Sequence, residues 1–127
     1  MTLNEISQII VNTAIQVHRG LGPGLLESVY LSVMEYELNK QGQRTAREIP
    51  IPVQWQSIRL EAGFRADLIV EEEVIVELKS VEKTAPVHKK QLLTYLRLAD
   101  KKLGLLLNYG EGLMKDGIIR IVNGLEE

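Results

Sequence analysis

Two short runs of alternating apolar and polar residues, joined by three glutamates, constrain the fold of this chain more than any other feature. The runs are Phe64–Val70 and Val74–Lys79, and only Glu71-Glu72-Glu73 separates them. This spacing predicts an antiparallel hairpin, because alternation favours a half-buried strand and three residues suffice for the turn. The side chains predicted to line the core-facing side of the sheet are Phe64, Ala66, Leu68, Val70, Val74, Val76 and Leu78.

The opposite face of the same hairpin carries Asp67, Glu77 and Lys79. If Val70 and Val74 close the loop, Asp67 lies directly opposite Glu77, with the two Cβ atoms roughly 4.5–5.5 Å apart. Two carboxylates at that distance repel each other, and a divalent cation such as Mg²⁺, which favours carboxylate oxygen and water as ligands, removes the conflict. The loop lacks the glycine usual in a three-residue hairpin, and a slip of two residues would weaken this pairing.

Composition sets outer limits on the kind of protein. With 127 residues, 45% of them hydrophobic and 25% charged, the chain is expected to fold as one domain over residues 1–127. The absence of cysteine excludes disulfides, thiolate metal ligands and a thiol nucleophile. No apolar run approaches the roughly 20 residues that span a bilayer, and the N-terminus lacks the features of a signal peptide, so a cytoplasmic protein without a membrane partner is expected. A net charge of −2 argues against a protein that coats long nucleic acids, but basic groups could still gather around an acidic metal centre.

Two helices are predicted before the hairpin. Helical periodicity over residues 4–18 predicts the first, and Thr2 with Glu5 resembles a capping box at its start. The glycine-rich stretch 20–24 ends this helix, and the second is predicted from about residue 25 to residue 41. The side chains of the second helix predicted to face inward are Leu26, Tyr30, Val33 and Met34.

The other predicted elements complete a single sheet. Strands are expected within residues 47–61, where Pro50 and Pro52 indicate an edge position. The elements after the hairpin are a helix over residues 87–99, a buried strand over residues 103–107 and a short strand over residues 118–122. The pattern indicates an α/β or α+β fold built on one mostly antiparallel sheet.

Glu77-Leu78-Lys79 is a weak signal alone, because exposed strands often carry an ion pair of this kind. Its weight comes from Asp67, which is predicted on the neighbouring strand and on the same face. Phosphodiester hydrolysis needs such a set. Carboxylates hold a metal ion that polarises the phosphate and acidifies a water molecule, and a lysine orients or deprotonates that water and offsets charge in the transition state.

The predicted helix over residues 87–99 carries further polar groups. Gln91 and Tyr95 form an i,i+4 pair, which suits hydrogen bonds to DNA or to the carboxylates and suits plain packing as well. His88, Lys89 and Lys90 lie near the N-terminus of this helix, where an anion is favoured. A solvated basic turn is the alternative reading of those three residues.

Gly24-x-x-Glu27-x-x-Tyr30 resembles the signature of the GxxExxY protein family. From the residues alone, helix capping accounts for Glu27 and packing for Tyr30. The resemblance covers nearly the whole chain, through His18 with Leu21-Gly22-Pro23, Gly63-x-x-x-Asp67, Val76–Lys79, Gln91-x-x-x-Tyr95 and Leu105–Gly110. That family is placed in the PD-(D/E)xK nuclease superfamily. The resemblance therefore implies a restriction-endonuclease-like α/β core, with a mixed central sheet flanked by helices and preceded here by two N-terminal helices.

The resemblance also implies roles for residues of the hairpin. Asp67 matches the superfamily's metal-binding aspartate, Glu77 its second acidic ligand and Lys79 its lysine. The Leu78 carbonyl is implied as a further metal ligand. Ala66 stands where the literal motif has proline, a position that varies across the superfamily.

Three residues outside the hairpin join the implied site. Glu27 resembles the helical glutamate that some branches add to the metal ligands, and Gln91 with Tyr95 resembles the Gln-x-x-x-Tyr element of the exonuclease-like branch. The implied activity is Mg²⁺- or Mn²⁺-dependent cleavage of phosphodiester bonds, with DNA favoured over RNA as the substrate.

Alternatives remain open at the level of sequence. A non-catalytic module that binds nucleic acid or protein on the same fold is suggested by the acidic net charge and the small size. RNA is the weaker alternative as substrate, since nothing in the chain reads a 2′-hydroxyl. Small nuclease cores often work as dimers, so a homodimer with Trp55 or Leu113 at its interface is a further option.

Overall fold

The computed structural model of the chain describes residues 1–125. In chain order its elements are α1 (Leu3–Leu21), α2 (Glu27–Lys40), β1 (Thr45–Trp55), β2 (Ile58–Val70), β3 (Val74–Lys79), α3 (Pro86–Ala99), β4 (Leu103–Asn108), α4 (Met114–Gly117) and β5 (Ile118–Val122). The strands form one sheet in the order β1-β2-β3-β4-β5, in which β3 and β4 run parallel and the other neighbours run antiparallel. The helix α3 makes the crossover that a parallel pair requires. The predicted mixed sheet, flanked by helices and preceded by two of them, is confirmed.

The sheet separates two apolar cores. Buried members of the core under α1 and α2 include Ile10, Met34, Leu68, Val76 and Leu105. Buried members of the core under α3 include Ile51, Ile75, Leu92, Leu96 and Leu106. Because helices cover both faces, every residue of β4 is buried, and this strand reads as a continuous apolar run rather than an alternating one.

The starts of the first two helices include one confirmed prediction and one error. The Glu5 amide donates to the Thr2 hydroxyl at 3.1 Å, and the Thr2 amide donates to the Glu5 carboxylate at 3.2 Å, so the capping box is confirmed. Leu26 was predicted to face inward but is 74% exposed, because α2 begins one residue later and Leu26 is only its cap. Within residues 1–125 no helix is long and apolar enough to cross a membrane.

The single apolar face predicted for β2 is wrong, because its alternation breaks at Asp67. Leu68 and Val70 belong to the core under α1 and α2. Ala66 and Phe64 pack instead in the core under α3. The two direct neighbours of Asp67, Ala66 and Leu68, therefore face opposite layers of the fold.

The adjoining strand β1 is distorted at the same level. Arg47 pairs with Leu68, and its guanidinium donates to side chains of α2. Ile49 pairs with Ala66 and packs under α3. Glu48, between them, has a φ of 52°, in the left-handed region that costs an L-residue energy. At this level the side chains of both strands switch from one face of the sheet to the other, beside the predicted acidic face.

The two edges of the sheet are β1 and β5. The edge position predicted from Pro50 and Pro52 is confirmed, since β1 is the outermost strand on its side. Before β5 the structure contains α4, which the periodicity did not predict because a single turn of four residues carries no repeat.

The turn between β2 and β3 leads to a prediction for stability. Glu71 and Glu72 both have positive φ, 52° and 59°. The Arg44 amide donates to the Glu71 carboxylate at 2.6 Å, whereas the Glu72 side chain is exposed. We expect Glu72→Gly to raise the free energy of unfolding by about 1 kcal/mol in urea denaturation, because glycine adopts this conformation without strain. Glu73→Gly removes the same charge outside the left-handed region, and equal stabilisation by both variants would contradict the backbone explanation.

Candidate active site

The hairpin register brings Asp67 and Glu77 together. The predicted closure by Val70 and Val74 is confirmed. Beyond the paired residues, hydrogen bonds from backbone amides to side chains take the place of the backbone ladder between the two strands. The Asp67 amide donates to Glu77 Oε1 at 3.3 Å, and the Leu78 amide donates to Asp67 Oδ2 at 2.9 Å. Both carboxylates therefore reach into the gap between β2 and β3.

Burial makes this carboxylate pair electrostatically strained. Glu77 is only 7% exposed, and Asp67 is half-buried. Burial, followed by the negative charge of Asp67, raises the pKa of the Glu77 carboxyl from 4.5 to about 9, while the charge of Lys79 opposes the rise. Two adjacent buried carboxylates do not both ionise unless an opposite charge is near. The pair therefore needs either a proton or a cation.

The backbone of Lys79 is held firmly at the end of β3. Lys79 pairs with Asn108 of β4, and its carbonyl accepts a hydrogen bond from the Tyr109 amide at 2.8 Å. The buried Asn108 side chain secures the next loop, because its Oδ1 accepts from the amides of Val81 at 3.1 Å and Gly110 at 3.0 Å. The half-buried Lys79 side chain extends from this fixed backbone, and its charge acts on the pKa of the Glu77 carboxyl.

Tyr95 of α3 lies near the same carboxylates. Its ring stacks on Phe64 with 3.9 Å between centroids and 6° between planes. Burial raises the pKa of the Tyr95 hydroxyl, and the charges of Glu77 and Asp67 raise it further, so the group stays protonated and able to donate. Gln91, one turn earlier, is exposed, and its side chain makes no hydrogen bond within the described residues. Its predicted role stays a prediction.

Glu27 lies at the exposed start of α2. It borders an open cavity of about 710 Å³ that Ser80 also lines. The Ser80 hydroxyl donates to the Leu25 carbonyl at 2.7 Å, which ties the start of α2 to the end of β3. Across residues 1–125 no three acidic or histidine side chains gather as a metal site, so Glu27 does not form one with Asp67 and Glu77 in this structure. Its role as a metal ligand stays a prediction.

Tyr30 has a clear structural role. Its hydroxyl donates to the Gly22 carbonyl at 2.6 Å and accepts from the Leu25 amide at 3.1 Å. Its buried ring stacks on Tyr109 with 4.2 Å between centroids. The tyrosine therefore fastens the loop between α1 and α2, in which Gly22 and Gly24 have φ of 76° and 96°.

This arrangement leads to a second prediction for stability. We expect Tyr30→Phe to lower the free energy of unfolding by about 2 kcal/mol, because the Gly22 carbonyl and the Leu25 amide both lose their partner. Tyr36→Phe removes a hydroxyl from an exposed ring of the same helix and is the matched control. Equal urea midpoints for Tyr30→Phe and the wild type would show that the loop does not depend on this hydroxyl.

Sequence reasoning did not single out Asn108 and Tyr109 as supports of the site. The sequence signal for these two residues was a polar residue at the end of an apolar strand, followed directly by an aromatic residue. His18, one of the residues that carry the family resemblance, is buried, and its Nε2 lies 2.8 Å from the Glu111 carbonyl oxygen. These residues hold the loops around the carboxylates rather than contact them.

The donor set at the end of the hairpin fits a hard divalent cation. Asp67 and Glu77 offer two carboxylates that each accept a backbone amide across the gap between β2 and β3, and the Leu78 carbonyl follows Glu77 on β3. Burial, and after it the charge of Asp67, raises the pKa of the Glu77 carboxyl, and a cation bound there would compensate the charge of the pair in place of a proton. Mg²⁺ keeps several water ligands and needs only one or two protein carboxylates, so two acids suffice.

A mixed sheet with an Asp on one strand and a Glu-x-Lys on the next defines a nuclease-like domain. A family model described as the PD-(D/E)XK nuclease superfamily matches residues 4–121, and the chain belongs to that superfamily. Its fold is accordingly restriction-endonuclease-like, and nucleases of this superfamily generally use divalent metals. No curated protein and no solved structure is significantly similar to the chain.

Proposed function

We propose that this protein is a divalent-metal-dependent nuclease that hydrolyses phosphodiester bonds in DNA. The observation that carries the proposal is the buried contact between Asp67 and Glu77, with Lys79 beside it. A pair of this kind is unfavourable for stability alone, and a bound cation would compensate its negative charge. We further infer membership of the GxxExxY branch from Gly24, Glu27 and Tyr30.

Each residue has a distinct task in this proposal. Asp67, Glu77 and the Leu78 carbonyl hold Mg²⁺ or Mn²⁺, with Glu27 as a further ligand when substrate is present. The bound ion supplies Lewis-acid polarisation of the phosphate and acidification of water. Lys79 positions the attacking water and stabilises the charge that develops on the phosphate.

The residues of α3 act on the substrate side of the site. Tyr95, protonated beside the carboxylates, donates a hydrogen bond to the substrate or to the ligating oxygens, and Gln91 extends this contact at the surface. Residues 83–99 contain Lys83, Lys89, Lys90 and Arg97 but no Asp or Glu, although the chain as a whole is acidic. All four cations are exposed, which suits contacts to phosphates.

One observation favours a second candidate, a binding module without catalysis. Both carboxylates already accept backbone hydrogen bonds, so they have a structural use without any cation. This candidate predicts nucleic-acid or protein binding that survives Asp67→Asn and needs no divalent ion.

The test is cleavage of labelled single-stranded DNA, duplex DNA and RNA by the purified protein in Mg²⁺, Mn²⁺ or EDTA. The proposal expects cleavage of DNA in Mg²⁺ or Mn²⁺, none in EDTA, and none by Asp67→Asn in any buffer. A folded protein that cleaves no substrate in either metal would reject it. Binding that survives Asp67→Asn and EDTA, without cleavage, would then support the binding module.

A further inference from the structure

The hairpin of β1 and β2 runs well beyond the rest of the domain. Tyr95 stacks on Phe64, and from there the ribbon continues to Ile58, a reach of about 20 Å at the usual rise per residue. All residues from Gln54 to Gly63 are exposed. We call residues 53–63 the arm.

One face of the arm is apolar and uncovered. Trp55 pairs with Ile58, and they are 65% and 54% exposed. Val53 pairs with Leu60, which is 56% exposed. The register of β1 and β2 shifts between Ile51, which packs under α3, and Val53, where the arm begins. The apolar face therefore starts next to the part of the sheet where α3 and Tyr95 border the candidate active site.

The arm carries little charge. Its charged residues are Arg59 and Glu61, so it is neutral, whereas the whole chain has a net charge of −2. Gln54, Gln56 and Arg59 add hydrogen-bonding groups beside the apolar face. Arg59 contacts Glu61 at 3.0 Å, but an exposed pair of this kind contributes little and exchanges readily for a phosphate.

A second copy of the chain suits this surface poorly. Stable protein interfaces bury about 1,200–2,000 Å² and involve about 20–30 residues on each side. The arm offers Trp55, Ile58 and Leu60 as its large exposed apolar side chains. A two-stranded ribbon, in contrast, fits the major groove of duplex DNA, which is about 12 Å wide and where apolar side chains contact thymine methyl groups.

We propose that the arm docks in the groove of duplex DNA and so presents the adjoining backbone to Asp67 and Glu77, an inference that rests on the proposed nuclease function. The arm and the site belong to one continuous strand, since β2 runs from Ile58 past Asp67. The exposed cations of residues 83–99 form the other side of this path. Substrate is then held from two sides, by the arm in a groove and by α3 on phosphates.

Trp55, the single tryptophan of the chain, reports directly on this contact. The whole protein in EDTA is titrated with a 20-base-pair DNA duplex, with one of its strands alone and with a 20-base-pair RNA duplex. Binding is followed by anisotropy of the labelled probe and by Trp55 emission. The DNA duplex is expected to quench Trp55 and to bind most tightly, because the major groove of A-form RNA is too deep and narrow to admit the arm.

Variants separate this contact from folding effects. Trp55→Ser is expected to weaken duplex binding by about tenfold, through lost apolar contact in the groove. Tyr36→Ser removes an exposed ring from α2, on the other face of the sheet, and is expected to leave binding unchanged. Thermal unfolding of both variants verifies that they are folded.

Each other result overturns the inference in an identifiable way. Trp55 emission that does not change while the duplex is bound and cleaved would reject a role for the arm in binding. Equal duplex affinity of Trp55→Ser and the wild type would do the same. Neither result contradicts the proposed nuclease function. Equal preference for the single strand would exclude groove docking. A Trp55 emission shift with protein concentration alone, together with dimers in sedimentation, would assign the arm to a second copy. A protein that neither binds nor cleaves any probe would reject both proposals.

Discussion

Lys79→Ala is expected to lower the single-turnover rate of metal-dependent DNA cleavage by about 10²–10³-fold, the usual effect of removing one group that stabilises transition-state charge. Lys79 ends β3 beside the carboxylate pair, and its backbone is fixed on the sheet by Asn108 and by the Tyr109 amide. The truncated side chain leaves those contacts intact. The loss should therefore appear in the rate of the chemical step rather than in the amount of folded protein.

The matched control is Lys83→Ala, which removes an exposed lysine from the following loop. It is expected to change the rate of the bound complex by less than about twofold, although it weakens binding at low salt. Glu77→Gln should lower the single-turnover rate at least as much as Lys79→Ala, because it removes a proposed ligand. Full activity of either site variant, measured under single-turnover conditions in Mg²⁺, would show that the residue has no part in the reaction.

The second large effect concerns pH. In the metal-free protein the pKa of Glu77 is about 9 in the folded state, against 4.5 as its ordinary value. The folded state therefore keeps a proton that the unfolded state releases above pH 4.5. The stabilisation is complete below pH 4.5 and is lost progressively as the pH rises from 4.5 to 9. Between pH 4.5 and 7 the loss amounts to about 3 kcal/mol.

Urea denaturation in EDTA between pH 5 and pH 8.5 measures this effect. The wild type is expected to lose stability relative to Glu77→Gln across that range, because glutamine cannot ionise in the buried position. Glu73→Gln, an exposed change in the turn of the same hairpin, should follow the wild type. Mg²⁺ should recover stability in the wild type at pH 8 and fail to do so in Glu77→Gln. Parallel curves for all three proteins would mean that Glu77 is not strained.

The parts of the fold that follow from local rules were predictable. The pairing of Val70 with Val74 follows from keeping two apolar sets on one side over the residues next to the turn. The edge position of β1 follows from Pro50 and Pro52, which cannot donate to a second neighbour. Local backbone chemistry decides both features, so a single sequence is sufficient for them.

The errors arise where distant parts of the chain decide the outcome. Alternation assumes an unbroken pleat, and the break at Asp67 depends on the matching distortion at Glu48 in another strand. Leu26 was assigned to the core because periodicity does not tell the cap of a helix from its first turn. The stack of Tyr95 on Phe64 likewise depends on how α3 lies on the sheet.

The parallel pairing of β3 with β4 has a consequence for synthesis of the chain. The carboxylates lie on neighbouring strands that meet through a short turn, so a nascent chain can pair them early. Strand β4, which pairs with Lys79, is synthesised only after α3. The Tyr109 amide, which donates to the Lys79 carbonyl, follows directly after β4. Non-local parallel pairs form slowly, after loop-closure entropy has been overcome. The Lys79 backbone is therefore fixed only once the chain has been translated past Tyr109, and a shorter nascent chain would carry the acidic pair with the end of β3 unsupported.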